Sequence, residues 1–461
     1  MINNFTENIF NENIFNENIL GELTVAAESN NVINSKYYTK YDVKRGLRNE
    51  NGTGVLVGLT KIGNVHGYVM DNKENKIPVE GKLTYRGINL REIVDGFQSE
   101  KRFGFEEVCY LLLFGELPNK DKLVKFKHVL GECRTLPDGF TEDMILKFPS
   151  RNIMNKLQRS ILAAYSFDDN PDAVSVKNIL RQSIELIARF PTMIAYGYQA
   201  KAHYYNDKSL YLHSPKAELG TAENILYMIR PDNKYTKTEA EVLDLALVLH
   251  AEHGGGNNSA FATHVVSSTG TDTYSAIASA VGSLKGPKHG GANIKVINMM
   301  KEIKENIKDW EDNDEIKNYL LKIVKGQVFD KSGLIYGIGH AIYTLSDPRA
   351  VMLKKKALEL AEEKDRINEF NLYKNVEETA IEIFEELRGN RNICANVDFY
   401  SGFVYEMLNI PCELYTPLFA TARVPGWCAH RIEQVVSEPK IIRPAYKNIN
   451  GNSKYINLSC R

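Results

Sequence analysis

The sequence predicts a mainly α-helical protein with a large helical domain, a smaller helical domain and a cleft between them. Three observations lead there. Beyond Leu90 apolar residues recur at helical spacing with charged residues between them, strand-like runs are few, and 461 residues exceed what one ordinary core organises. The chain opens on an echo, Glu7-Asn8-Ile9-Phe10, Glu12-Asn13-Ile14-Phe15 and Glu17-Asn18-Ile19-Leu20. That period fits neither helix nor strand, so residues 1–45 read as an arm, poorly ordered or weakly docked. Glycines cluster from Gly46 to Gly67 around Val55-Leu56-Val57-Gly58-Leu59-Thr60 and Val65-His66-Gly67-Tyr68-Val69, which suggests a small β-ribbon. Thr238 and Glu241 have the spacing of a capping box, and Val242, Leu245, Ala246 and Leu249 share one face of a helix that runs into His250. Ala350, Leu353, Ala357, Leu360 and Ala361 repeat the pattern, as do Val376, Ala380, Ile383, Phe384 and Leu387. The charge-rich stretch 294–401 reads as an inserted smaller domain, leaving 46–293 and 402–461 to the large one.

Net charge is −1, so no global basic field exists to collect nucleic acid or an acidic membrane, and any anion must be met by local arginines. Cys109, Cys133, Cys394, Cys412, Cys428 and Cys460 are scattered without a CxxC pair, which favours a reducing, cytoplasmic setting. No apolar run approaches the ~20 residues of a membrane span. The acidic, Arg-free opening lacks the marks of a secretory or mitochondrial leader.

Half of the ten histidines lie between His250 and His340. In Leu249-His250-Ala251-Glu252-His253-Gly254-Gly255-Gly256-Asn257-Asn258-Ser259-Ala260, His250 and His253 share a helical face that the triple glycine ends. A metal reading of that pair lacks the HExxH spacing and a concentrated ligand set, so none is expected. His250 reads as a satisfied core histidine and His253 as a binding group. His289, in Gly286-Pro287-Lys288-His289-Gly290-Gly291, has little apolar packing nearby and reads as a ligand contact, while the phosphate-loop spacing GxxxxGK[ST] is missing. Tyr336-Gly337-Ile338-Gly339-His340-Ala341-Ile342-Tyr343 leads into Asp347-Pro348-Arg349, whose guanidinium suits a carboxylate. Asp398 is an isolated carboxylate in an uncharged run, Asn396 to Phe403, where burial would raise its pKa and improve it as a base; helix capping is the plain alternative. Arg423 and Arg443 have apolar neighbours, unlike solvated charge runs, and Arg431 follows in the same segment.

Four motifs in order, HAEHGGGNNSA, GPKHGGAN, GIGHAIYTLSDPR and NVDFYSG, followed by ATARVPGWCAHR, resemble citrate synthase from about Gly54 to Pro444, with the Tyr85-Arg86-Gly87 turn in place. The resemblance implies a citrate-synthase-like large helical domain, a smaller helical lid with the active-site cleft between them, a homodimer as the minimum active unit with higher oligomers open, and no cofactor, acetyl-CoA being a substrate. It places His289 and Asp398 on the pair that enolises acetyl-CoA and His340 on the donor that polarises the oxaloacetate ketone. His253, Arg349, Arg423 and Arg443 match oxaloacetate-binding groups, Arg443 being supplied across the dimer interface. Ser259 matches a residue orienting His289, and Arg391 a basic position that contacts the CoA phosphates. Tyr343-Thr344-Leu345-Ser346 lacks the basic residue some relatives carry there.

The chemistry gives its own reasons for these residue types. A thioester α-proton is too weakly acidic for a free carboxylate, so a donor at the developing enolate oxygen must work with the base. Citrate synthase is the leading reading, with 2-methylcitrate synthase acting on propionyl-CoA as its alternative. A silent helical scaffold and a metal-dependent hydrolase are the readings from other classes.

Overall fold

The computed structural model describes residues 17–72, 75–389, 392–437 and 440–461. The chain divides into two compact units, residues up to 57 with 443–461, and residues 58–442. In the first unit the third copy of the opening echo starts a helix, Glu17–Asn31; the first two copies lie outside the described residues. A short helix, Lys36–Lys40, follows, and the Lys447 ammonium of the C-terminal tail lies 5.6 Å from the Tyr41 ring centre.

The expected β-ribbon is found in part, with a different partner. Val65–Val69 lies in strand β1 (Gly63–Met70), which pairs antiparallel with β2 (Lys76–Tyr85), and β2 pairs with β3 (Ile88–Asn89). Val55–Thr60 forms no strand, and Leu56 and Leu59 are 86 % and 91 % exposed. An apolar run left largely exposed gains little from a ladder, whereas β2 buries Leu83 and Tyr85. The turn after Tyr85 takes Arg86 at φ 51° and Gly87 at φ 86°, the left-handed pair a tight hairpin needs. Arg86 accepts that conformation because its guanidinium donates twice to the Leu112 carbonyl, at 3.0 and 2.7 Å.

Helices make up most of the rest, as the periodicity predicts. The helix ending at His250 runs Lys237–His250, but its capping box is Thr236 with Glu239 rather than Thr238 with Glu241. Thr236 Oγ1 accepts from the Glu239 amide at 3.2 Å, and the Glu239 carboxylate accepts from the Thr236 amide at 2.8 Å. Arg230 and Lys364, from other segments, bind the same carboxylate at 2.7 Å each, and spacing along one helix cannot weigh such partners. Pro348–Glu363 and Ile367–Arg388 carry the two later amphipathic patterns and pack on each other.

The last long helix, Tyr415–Ser437, is buried on every side from Tyr415 to Arg431 and packs against several others, including Asn258–Ser267 and Lys237–His250. A helix apolar all round belongs in the middle of a core. Gly426 sets how close it comes to the His250 turn: a Cβ there would lie 2.5 Å from both the Ala251 carbonyl oxygen and a Glu252 carboxylate oxygen. Gly426→Ala therefore trades ~1 kcal/mol of helix propensity for overpacking. A net loss of ~1–3 kcal/mol is expected in urea unfolding at fixed protein concentration; a variant as stable as the parent would show that the two elements can separate freely.

Candidate active site

Three turns and two helix starts converge inside the second unit. His253 follows the Lys237–His250 helix, and Gly254, at φ +81°, turns the chain while its amide donates to Glu252. The His340 loop is fixed from two directions. On one side Gly81 of β2 comes so near that a Cβ would lie 2.0 Å from the Ser346 carbonyl. On the other, the Gly339 amide donates to the Cys394 carbonyl and the Asn396 side chain donates to the Gly339 carbonyl, both at 2.8 Å. Asn396 also caps the Val397–Met407 helix, accepting from the Asp398 amide at 3.0 Å. One asparagine thus ties the His340 loop to the helix turn that carries Asp398, which occupies the first turn and is not the cap.

The rings of His253 and His340 meet edge to face with centres 5.2 Å apart, and Tyr343 stacks on His340 at 4.7 Å. The Arg349 guanidinium lies 5.7 Å from the Tyr343 ring centre. Its Nε and Nη2 donate to the two oxygens of Asp347 at 3.0 and 2.7 Å. Asp347 also caps the Pro348–Glu363 helix and accepts from the Val397 amide at 3.3 Å, so one buried carboxylate aims Arg349 and joins two helix N-termini. Arg423 gives its Nε to the His250 carbonyl and is fully buried, with no hydrogen-bond acceptor for Nη1 or Nη2 among the described residues; the same holds for His253 Nε2. Buried polar groups of this kind cost free energy unless a ligand group is bound there.

The tautomers follow from the partners. Nδ1 of His340 accepts from the amides of Ile342 and Tyr343, each at 3.1 Å, so a neutral ring carries its proton on Nε2 as a donor. His289 Nε2 lies 3.1 Å from Ser259 Oγ, which accepts from Trp427 Nε1 at 3.0 Å and lies 2.8 Å from the Asn257 amide oxygen. An indole only donates, so the single hydroxyl proton of Ser259 goes either to Asn257 or to His289.

Burial pushes the pKa of Asp398 up to about 6, against the pull of Arg349 and Arg423. Burial, reinforced by Arg423, lowers His289 to about 4, and burial with Arg349 beside it holds His253 well below its usual value; both rings are neutral at pH 7. Burial lowers Arg423 to about 10, still charged at neutral pH. A neutral donor, a carboxylate base and two guanidinium groups thus share one buried space, an arrangement suited to proton abstraction beside a bound dianion.

The positions singled out from sequence divide accordingly. His253, His340, Arg349, Asp398 and Arg423 interact with one another, His289 with Ser259 joins them through the field of Arg423, and His250 is buried with Nδ1 2.8 Å from the Ala246 carbonyl. Arg431 is buried apart, donating to Thr273, Ser267 and Thr271. Arg443 belongs to the first unit and is exposed there; Arg391 lies outside the described residues. Sequence reasoning missed Asp347 as the partner of Arg349, Tyr343 as the wall behind His340, and Trp427 as a donor to Ser259. An acid two residues before an arginine at a helix start was the available signal for the first; nothing local marks the others.

The family model described as citrate synthase, C-terminal domain, matches residues 51–445. Citrate synthase of Synechocystis sp. is 36 % identical over 83 % of this chain and 89 % of its own length. 2-Methylcitrate synthase 1 of Corynebacterium glutamicum is 31 % identical over 88 % and 96 %. Among solved structures, Thermotoga maritima citrate synthase is 31 % identical with a TM-score of 0.69, covering 88 % of this chain and 98 % of that one. The Thermoplasma acidophilum enzyme in ternary complex with carboxymethyl coenzyme A and oxaloacetate is 26 % identical with a TM-score of 0.74, covering 90 % and 99 %. With the family model spanning most of its length and the motif residues gathered in one buried cluster, the chain belongs to the citrate synthase family.

Proposed function

We propose that this enzyme condenses acetyl-CoA with oxaloacetate and hydrolyses the citryl thioester to citrate and CoA. The observation that carries the reading is that the field of Arg423 bears on both a raised carboxylate, Asp398, and neutral His289, beside the unpartnered Nη atoms of Arg423 and Nε2 of His253. Arg349, Arg423 and His253 hold the oxaloacetate carboxylates, and the Nε2 proton of His340 polarises its ketone. Asp398 takes a methyl proton while His289 donates to the thioester oxygen. The enolic carbon then attacks the ketone carbon, and water cleaves the thioester. For His289 to donate from Nδ1, the Ser259 hydroxyl must give its proton to Nε2, which requires the Asn257 amide to turn its NH2 toward Ser259. The helices of 294–401 are proposed as the lid, and Arg391 as a CoA contact. A thiol-release assay with oxaloacetate tests the reaction: higher kcat/KM with acetyl-CoA is expected. Relatives named 2-methylcitrate synthase match almost as well, so propionyl-CoA is the comparison, and a preference for it would reassign the substrate.

Asp398→Asn should lower kcat by ~10²–10⁴ while leaving oxaloacetate affinity nearly unchanged, since only the base is lost. Near-native exchange of acetyl-CoA methyl protons in that variant would remove Asp398 from the role. The base acts ionised, so kcat/KM for acetyl-CoA should fall as pH drops through about 6, or from a higher pH once oxaloacetate neutralises Arg423, and keep falling below it. His289, neutral down to about 4, does not supply that limb, and a profile flat to pH 5 would contradict the assignment.

A homodimer is proposed with Arg443 completing the partner's site. Leu56, Tyr446 and Leu458, 86 %, 95 % and 77 % exposed, are apolar surface that a second copy would cover. Arg443→Ala and Asp398→Ala subunits, each inactive alone, should regain activity when co-refolded, because one site in each mixed dimer is whole. Inactive heterodimers, demonstrated by mass, would place Arg443 in its own subunit's cleft.

A further inference from the structure

Away from the substrate groups, two histidines meet nitrogen to nitrogen beside a buried carboxylate oxygen. His264, on the Asn258–Ser267 helix, and His430, on the Tyr415–Ser437 helix, face each other with His264 Nε2 3.0 Å from His430 Nδ1. Their outer nitrogens are both committed: His430 Nε2 lies 3.0 Å from the Glu252 carboxylate, and His264 Nδ1 2.8 Å from the Gln434 amide oxygen. The Glu252 carboxylate only accepts, so His430 Nε2 carries a proton, and with the Gln434 oxygen toward the ring His264 Nδ1 carries one too. The inner nitrogens of two neutral rings would then confront each other as lone pairs. A proton or a metal ion between them satisfies both.

Glu433 supplies a third donor to the same point. Its Oε1 accepts from the Lys61 amide at 2.6 Å, while Oε2, buried and without a hydrogen-bond partner among the described residues, lies 3.8 Å from His430 Nδ1. The three donor atoms lie within 4.8 Å of one another. The surroundings have the form of an outer shell around a metal, in which each histidine ligand donates its second N–H to a carboxylate or amide oxygen, fixing its tautomer. Two imidazoles and one carboxylate suit a borderline divalent ion.

We propose that His264, His430 and Glu433 bind one divalent ion of the Zn2+ class, clamping two core helices to the segment at Lys61, with no part in the chemistry of condensation. His430 is fully buried, while Glu433 keeps 12 % of its side chain exposed, so the ion enters along that edge. A proton shared between the rings is the competing occupant.

The test uses the full-length protein, stripped with a chelator and titrated with Zn2+ by calorimetry and with Co2+ by visible absorption. One equivalent per subunit is expected, with a Co2+ spectrum of low symmetry. His264→Asn and Glu433→Gln should each weaken binding on the order of 100-fold or more; Gln434→Leu, which keeps all three ligands, should weaken it by about 10-fold. Circular dichroism verifies that each variant is folded, and Glu433→Gln, at the exposed edge, serves if His264→Asn does not fold. No stoichiometric binding to the parent protein would assign the position to a proton and overturn the proposal. Binding that Glu433→Gln leaves unchanged would overturn it too, by placing the ion at a surface site.

Discussion

A buried carboxylate organises the centre of this molecule. Glu252 has no exposed surface, yet His430 and Arg423 hold its carboxyl below its ordinary pKa against the opposing effect of burial. Breaking a buried pair of this kind costs on the order of 3–5 kcal/mol, because the remaining charge has no water to turn to. Since His430 and Arg423 stand on the Tyr415–Ser437 helix and Glu252 on the turn before His253, the charge arrangement fixes that turn against that helix. Gly426 makes the approach sterically possible, and the Gly254 amide, donating to the same carboxylate, carries the constraint one residue past His253. The turn that carries His253 is therefore held by charges that His253 does not itself supply.

The opposite wall is built by the same device with different residues. Asp347 is buried, caps one helix, accepts from the first amide of another and grips Arg349 with both oxygens. Asn396 does for the His340 loop what Asp347 does for Arg349, taking the Asp398 amide on its oxygen and giving its NH2 to Gly339. Arg349, the His340 loop and Asp398 are thus held by short polar side chains that also cap helices, so their positions are as rigid as a helix terminus. Rigid placement lets neutral hydrogen-bond donors stabilise an enolate, because no reorganisation is needed as charge develops.

Much of this was legible in the chain. Helical spacing after Leu90 and the turn at Arg86-Gly87 depend on residues near in sequence, and the structure agrees with them. So do the motif histidines, whose glycine neighbours announce close approach. The misreadings share a cause. Thr238 and Glu241 had the spacing of a capping box, but Arg230 and Lys364 decide the real one by binding Glu239; Val55–Thr60 had the composition of a strand but is left largely exposed. Trp427 and Tyr343 were illegible for the same reason: an indole donor to Ser259 is contributed from 168 residues away, and a ring stacked on His340 is defined only by how its loop turns.

Burial also sorts the charges by task. Arg349 is paired to Asp347, which returns more than burial takes and keeps its guanidinium pKa above the ordinary value, so it is a fixed cation. Arg423 has no such bidentate partner; burial dominates and lowers it to about 10. Arg423 is therefore the one whose Nη atoms have most to gain from a bound carboxylate, and the one whose field bears on both His289 and Asp398. A dianion settling on Arg423 would neutralise the charge that holds Asp398 toward its ionised form and His289 toward its neutral form. The carboxylate would become a stronger base as the first substrate binds, and the histidine would lose part of the field that depresses it. Base strength would then rise only once the electrophile is in place, which couples the order of binding to the timing of proton removal through the Arg423 guanidinium.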